Sequence, residues 1–311
     1  RSDNGVGFLI EAHQWQSDGF QTIDRSGADT GLDVTDFTAK LSYAPVGSPH
    51  AIELKLQLAD QDSNQSYIGL SDADFGNDAL RRYGLSELDN IATEHEQAIL
   101  RYSFDVTANL SVTATAYNNT HQRNWFKTEG IDLDGSVNAD SFSGSSWASV
   151  VDAVNLGKGL GNYTHEELQG ILDGNIDTAA GSVQLRSNNR EYYSRGLQFG
   201  ANWDGSFGGA LHSVSMGLRF HEDEEDRFQR NDTYSQVAGK LGLDSLGTEG
   251  NAGNQVQSAE ALAFYIRDEI SFGDWTLSPG IRFEDIDQDR VRYKNGAARD
   301  FRDGRQNTAQ V

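Results

Sequence analysis

Apolar and polar residues alternate along much of this chain, so that every second side chain is hydrophobic over many short stretches. Ile52, Leu54, Leu56 and Leu58, for example, alternate with charged and polar residues. A period of two places all the apolar side chains on one face of a β-strand. We predict nine strands, near residues 6–16, 37–43, 52–58, 98–104, 110–116, 193–203, 214–220, 262–272 and 275–283.

The connections between these predicted strands are alternately long and short. The long ones span residues 17–32, 61–95, 128–189 and 223–256, and the short ones 45–50, 105–109, 204–209 and Gly273–Asp274. Loops of more than about 12–15 residues are uncommon in compact soluble domains, and a soluble sandwich has no reason to gather them at one end. Up-and-down membrane barrels have short periplasmic turns and long extracellular loops. The pattern therefore predicts an all-β fold, a partial transmembrane antiparallel up-and-down β-barrel with long extracellular loops.

Two short helices are predicted inside the loop 128–189. Apolar residues recur at helical spacing from Ser145 to Val154. Thr164 and Glu167 form the capping-box pattern that opens a helix, here running to Leu172. The loops are therefore expected to have some internal order.

A few residues fit the strand pattern poorly. Asp268 falls on an apolar face and requires a bulge or an interfacial position, and Arg195 falls on another apolar face near a predicted strand end, where its stem can snorkel. Pro279 has no N–H and weakens one ladder position. The acidic run Glu222–Asp226 is predicted to be a solvated loop, with cation binding as the alternative.

Composition narrows the class of protein. The hydrophobic fraction is 37% and the mean hydropathy is -0.59, and no run of about 18 apolar residues, the length of a transmembrane helix, is present. The 25 basic and 47 acidic residues give a net charge of -22, which argues against a nucleic-acid binder. The acidity serves either solubility or the holding of divalent cations at a cell surface. No cysteine is present, which excludes disulfides and thiolate metal sites.

No arrangement of catalytic or metal-binding residues stands out. Gly157–Gly161 lacks the spacing and the preceding strand of a phosphate-binding loop. The seven histidines are scattered, and no pair shows ligand spacing. We predict no enzymatic activity, no metal site and no cofactor. Residues 1–20 lack the features of a signal peptide, so the natural N-terminus is expected to lie elsewhere.

Several segments resemble TonB-dependent receptors, and most closely those that import ferric citrate and other siderophores. They are Ser66–Phe75 with Arg81–Tyr83, Ala114–Asn119 with Arg123–Lys127, Asn188–Gly196 and Trp275–Glu284. The resemblance implies a 22-stranded barrel in the bacterial outer membrane, closed inside by an N-terminal plug and energised by TonB. Residues 1–311 would then be middle barrel strands in contact with outer-membrane lipid. The plug, the TonB-contacting N-terminal region and the terminal strands would be absent.

The resemblance also suggests a ligand, a ferric siderophore or ferric citrate, which is anionic and is best held by cations and hydrogen-bond donors. Nine candidates lie at or near the bases of the long loops, and for each the alternative is loop packing or an aromatic-girdle position. They are Arg81, Arg82, Arg123, Asn124, Trp125, Lys127, Asn189, Arg190 and Tyr192.

Other functions stay open at this stage. Loops decide the ligand, so a sugar or cobalamin importer of the same family is possible. A surface adhesin or soluble β-rich binding protein would bury its strand faces against a second sheet. A barrel protease or lipase would need a catalytic constellation that the sequence does not show.

Overall fold

The computed structural model describes residues 4–133, 144–293 and 309–310. Nine long strands, here called the wall strands, form one antiparallel sheet in which each strand pairs with the next along the chain. They are β1 (Val6–Ser17), β2 (Leu32–Tyr43), β3 (His50–Ser63), β4 (Asn90–Thr107), β5 (Leu110–Ile131), β6 (Val183–Phe207), β7 (Ala210–Val237), β8 (Gly253–Phe272) and β9 (Gly280–Arg292). The short strand Trp275–Leu277 precedes β9, and Ala309–Gln310 pairs with it. The predicted all-β meander is confirmed.

The long and short connections lie at opposite ends of this sheet, as predicted. Residues 44–49, 108–109 and 208–209 and the turn after Phe272 lie at what we call the turn end. The connections 18–31, 64–89, 132–182 and 238–252 lie at the loop end. No helix among the described residues is long and apolar enough to span a membrane.

One face of the sheet is apolar and has no partner within the described part of the chain. Phe8 is 81% exposed, and Ile281 and Phe283 on the opposite edge strand are 68% and 58% exposed. The apolar residues span about seven positions of each strand, which is about 20 Å and close to the apolar band of ~25 Å in outer-membrane barrels. The rival expectation of a second sheet packed on this face is not met in the residues described.

Several wall strands continue far beyond the apolar band towards the loop end. β5, β6 and β7 contain 22, 25 and 28 residues. The run Glu222–Asp226 therefore lies within β7, and its prediction as a loop was wrong. Cross-strand partners explain the difference, since Glu222 accepts from Arg195 at 2.9 Å and Glu225 from Arg190 at 2.8 Å. Such pairs stabilise a ladder that intrinsic propensity alone disfavours.

The structure also explains how the other residues that fit the strand pattern poorly are accommodated. Asp268 is regularly paired with Val214, without a bulge, and its carboxylate lies 2.7 Å from His212 Nδ1 at the turn end. Arg195 lies well inside β6 rather than near a strand end, because that strand begins at Val183. The ladder is interrupted at residues 278–279, as expected from a proline there.

The hydrophobic core lies at the loop end, among the long loops and the ends of the wall strands that reach them. We call this folded unit the loop assembly. It contains α1 (Asp72–Asn77), α2 (Trp147–Asn155), α3 (His165–Leu172) and a 3-10 helix at Gly84–Ser86. Its fully or nearly fully buried residues are Tyr83, Leu85, Ile131, Leu133, Trp147, Val150, Ala153, Val154, Leu168, Ile171, Leu172, Val183, Leu185 and Tyr234.

Both predicted helices are confirmed. The Thr164 hydroxyl accepts from the Glu167 N–H at 3.3 Å, and the Glu167 carboxylate accepts from the Thr164 N–H at 2.8 Å. Ser146 caps α2. The sequence analysis missed α1, which Ser71 caps in the same way.

Arg81 ties three of the long connections together. Its guanidinium lies within 2.6–2.8 Å of carboxylate oxygens of Asp24, Asp74 and Asp173. The parallel pairing of Thr22–Ile23 with Arg81–Arg82 supports the same contact. The loops are therefore held by charged hydrogen bonds as well as by their apolar core.

Candidate ligand-binding site

A row of arginines crosses the polar face of the sheet below the loop assembly. Arg123 of β5 lies directly opposite Arg190 of β6, which lies directly opposite Arg227 of β7. Like charges directly opposite each other destabilise a sheet unless counter-charges or a ligand offset them. We call Arg123, Arg190 and Arg227 the arginine row.

One carboxylate contacts the arginine row. Glu225 accepts a hydrogen bond from Arg190 at 2.8 Å, and one of its oxygens lies 3.6 Å from Arg227 Nε. Gln257 donates to its other oxygen at 2.8 Å. Arg123 Nε and Arg227 Nε are buried without a hydrogen-bond partner in the described part of the chain. Among the residues that the structure describes, three cations face one contacting carboxylate, which leaves an excess of positive charge and unused donors.

Aromatic side chains border the row. Tyr192 lies two residues after Arg190 on the same face of β6, and its hydroxyl lies 3.3 Å from Glu225. Trp125 lies two residues after Arg123 on β5 and packs edge-on against Tyr67 with ring centroids 5.4 Å apart. Its Nε1 is buried and has no hydrogen-bond partner among the described residues. These residues could form an apolar wall beside a bound anion.

Lys127 lies above this wall, and its ammonium group already has partners within the protein. The Lys127 side chain is buried. Its ammonium group lies 3.5 Å from the centroid of the Tyr67 ring and 3.0 Å from a Glu129 oxygen. Glu129 also accepts from Arg186 at 2.6 Å. Burial lowers the pKa of Arg186, and the Glu129 charge opposes this shift. Packing therefore accounts for Lys127 without a ligand.

The remaining predicted residues lie elsewhere. Arg81 is neutralised by its three carboxylates, and Arg82 is buried with donors bonded to the Asn64 carbonyl at 2.6 Å and the Ser86 carbonyl at 2.9 Å. Asn124 and Asn189 lie opposite each other on the other face of the sheet. Of the nine candidates, the structure brings together Arg123, Trp125, Arg190 and Tyr192 on one surface, with Lys127 beside them.

The sequence analysis missed Arg227 and Glu225 because it assigned residues 223–256 to a loop, and it missed Gln257 because the next strand was predicted to begin near residue 262. The signal was the alternation of Glu225 with Arg227, which continues the strand period beyond the apolar residues. A cleft of about 650 Å³ adjoins this surface; its lining includes Tyr192, Gln257 and Arg290, together with the carboxylates of Asp223, Glu224, Glu225 and Asp289, and none of the three arginines of the row. A cleft of this size suits a small ligand.

A second polar network lies one step nearer the turn end. The Tyr117 hydroxyl lies 2.6 Å from His221 Nδ1, Arg219 Nε donates to the same hydroxyl at 3.0 Å, and His221 Nε2 lies 3.0 Å from Asp223. Gly196 lies between Tyr117 and His221, and any side chain there would collide with the tyrosine. These groups are mutually bonded, unlike those of the arginine row.

Comparisons with known proteins agree with this architecture. The β-barrel model of the TonB-dependent receptor-like family matches residues 14–309. The unliganded ferric citrate transporter FecA is 18% identical with a TM-score of 0.61, over 99% of this chain and 35% of that one. The siderophore receptor PiuA from Acinetobacter baumannii is 14% identical with a TM-score of 0.64, over 99% and 42%.

The ferric yersiniabactin uptake receptor FyuA from Yersinia pestis is 11% identical with a TM-score of 0.60, over 99% of this chain and 38% of that one. At these identities the structures show a shared fold alone. The chain spans less than half the length of each of the three. The family is one of transporters, so the prediction that the chain is not an enzyme is confirmed. Because the family model matches nearly the whole chain, the chain belongs to the TonB-dependent receptor-like β-barrel family.

Proposed function

We propose that the protein carrying this chain imports an anionic ferric chelate, a siderophore or ferric citrate, across the bacterial outer membrane with energy from TonB. The arginine row carries this proposal. In a barrel of this family the apolar face meets lipid and the polar face lines the interior, so the row would face a ligand entering from outside. FecA, PiuA and FyuA are a ferric citrate transporter, a siderophore receptor and a ferric yersiniabactin uptake receptor, and their shared fold supports the same class of ligand.

The chemistry of the row favours an anion. Ferric tris-catecholate and ferric citrate complexes carry negative charge and present oxygen acceptors. Guanidinium groups bind such oxygens through paired, charge-assisted hydrogen bonds. Arg123 Nε and Arg227 Nε donate no hydrogen bond within the described chain, although Arg227 Nε lies 3.6 Å from a Glu225 oxygen. An anion beside the row would accept from these donors and relieve the repulsion between neighbouring arginines. A neutral sugar could accept hydrogen bonds from these donors but would not offset their charge.

The test is uptake of radioactive iron by cells in which this protein is the sole receptor for a ferric tris-catecholate. We expect energy-dependent uptake that falls at least tenfold in the double variant Arg123→Gln/Arg227→Gln. Arg267→Gln is the control, because its exposed partner Glu269 lies in a separate pair at 3.0 Å. Unchanged uptake in the double variant, at equal surface amounts of protein, would refute the role of the row. Equal uptake of an uncharged ferric trihydroxamate would refute the preference for anions.

A further inference from the structure

Two histidines face each other on the polar face, next to the arginine row. His95 of β4 and His121 of β5 are directly opposite in the antiparallel ladder. Their ring centroids are 6.0 Å apart. They are 26 positions apart in the sequence, which is why no ligand spacing was visible there.

We propose that His95 and His121 form a binding site for a divalent transition-metal ion, with the side-chain oxygen of Asn119 as a third ligand. This site adjoins the proposed chelate site, since Asn119 and His121 line the same cleft as Tyr192 and Glu225, but it takes a bare cation rather than an anionic complex.

The distance between the rings fits a shared ion. A metal held about 2.1 Å from one nitrogen of each imidazole would separate the ring centroids by roughly 5–6 Å. The observed separation requires only small rotations of the two side chains. Both residues are half-buried, and their backbone positions are fixed by regular pairing on either side.

Asn119 supplies an oxygen that nothing else uses. It lies two residues before His121 on the same face of β5. Its Nδ2 donates to the Ser194 carbonyl at 3.3 Å, and because a carbonyl can only accept, this bond fixes the orientation of the amide. Its Oδ1 is buried without a hydrogen-bond partner in the described chain. A buried acceptor left unpaired is costly, and a bound cation would satisfy it.

The ligand set indicates which ions would bind. Two imidazoles and one amide oxygen suit copper, nickel or zinc rather than calcium or magnesium, which prefer oxygen ligands alone. No group of three or more His, Cys, Asp or Glu side chains suited to a metal is found among the described residues. The site therefore depends on the histidine pair, and loss of either imidazole should abolish it.

Replacing the neighbouring Arg123 should have opposite effects on the two proposed sites. Arg123 lies two residues after His121 on the same face of β5, so its positive charge is close to the proposed metal site. The same charge repels a bound metal ion. Arg123→Gln should therefore weaken binding of an anionic chelate and strengthen binding of the metal. A failure of the chelate proposal would leave this metal prediction standing, and the reverse also holds.

The experiment is titration of the purified, untagged protein with Cu²⁺, followed by calorimetry and by electron paramagnetic resonance. We expect one Cu²⁺ per chain with nitrogen hyperfine structure, and at least tenfold weaker binding in both His95→Gln and His121→Gln. His50→Gln is the control, because His50 lies at the turn end, stacked on Phe104 with ring centroids 4.5 Å apart. The expected order of affinity is Mn²⁺ below Zn²⁺ below Cu²⁺.

Binding that survives either His95→Gln or His121→Gln would overturn the paired site, as would equal loss in His50→Gln. Circular dichroism of each variant establishes that the barrel remains folded. Asn119→Ala should weaken Cu²⁺ binding several-fold, and an unchanged affinity would overturn the assignment of the third ligand.

Discussion

Replacing Arg81 by methionine should loosen the loop assembly while leaving the wall strands intact. Methionine keeps much of the side-chain volume but removes the charge that holds Asp24, Asp74 and Asp173 together. The three carboxylates would then repel one another across three separate connections. Because the wall strands make none of these contacts, the effect should be confined to the loop end.

The expected loss of stability follows from how deeply Arg81 and its three carboxylate partners are buried. Removing one partner of a fully buried ion pair costs about 3–5 kcal/mol. The Arg81 side chain is 21% exposed and its partners 10–26%, so we expect about 2–3 kcal/mol. That corresponds to roughly a 30- to 150-fold rise in the population of opened loops. Arg267→Met removes an exposed pair with Glu269 and should cost less than about 1 kcal/mol.

Hydrogen exchange measured by mass spectrometry on the purified protein is the assay. The informative amides are those of Thr22 and Asp24, which donate to Leu80 and Arg82 carbonyls at 2.9 Å. Their protection should fall by the stated factor in Arg81→Met, whereas amides of β8 should not change. Equal protection in the variant and the wild type would show that the apolar core alone holds the loops, and would refute the reasoning.

Three further predictions concern single residues. Thr164→Ala should destabilise α3 by about 1 kcal/mol through loss of the capping box, measured by exchange of its first-turn amides, and Thr164→Ser should restore it; no change would contradict the capping role. Burial, followed by its bond to a carboxylate, raises the pKa of Tyr83 from 10.0 to about 12, so its contribution to stability is complete below pH 10.0 and is lost as the pH rises through about 12. Tyrosinate absorbance should show one fewer late-titrating group in Tyr83→Phe than in the wild type, and an unchanged titration would contradict this. Gly196→Ala should lower stability by about 1–3 kcal/mol through overpacking, measured by thermal unfolding, whereas Gly242→Ala, where the added carbon meets nothing, should be neutral; equal stability of the two would contradict the close contact.

The wall of the sheet was predictable because its signal is local. Strand alternation and turn spacing located all nine wall strands, and the capping pattern at Thr164 located α3. Strand ends towards the loop end were not predictable in this way. Charged residues such as Glu225 disfavour strands by propensity, and only their cross-strand partners, tens of residues away in the sequence, keep them in the ladder.

The candidate site was predictable in part for the same reason. Arg123 and Arg190 were visible as basic residues near loop bases, but their alignment with Arg227 depends on the register of three strands. Sequence also could not separate Arg190 on the polar face from Asn189 on the other. A shift of one residue exchanges the two faces of a strand, so membership of the site is fixed only once pairing is known.

The central claim is that the arginine row receives an anionic ferric chelate. The most direct measurement is a crystal of the protein grown with a ferric tris-catecholate, with the iron located by its anomalous X-ray scattering. If the arginine row binds the chelate, we expect a single iron peak opposite Arg123, Arg190 and Arg227. The chelate oxygens should then accept hydrogen bonds from the three guanidinium groups. An iron peak confined to the outer surface of the loops, or a chelate bound away from these three residues, would contradict it.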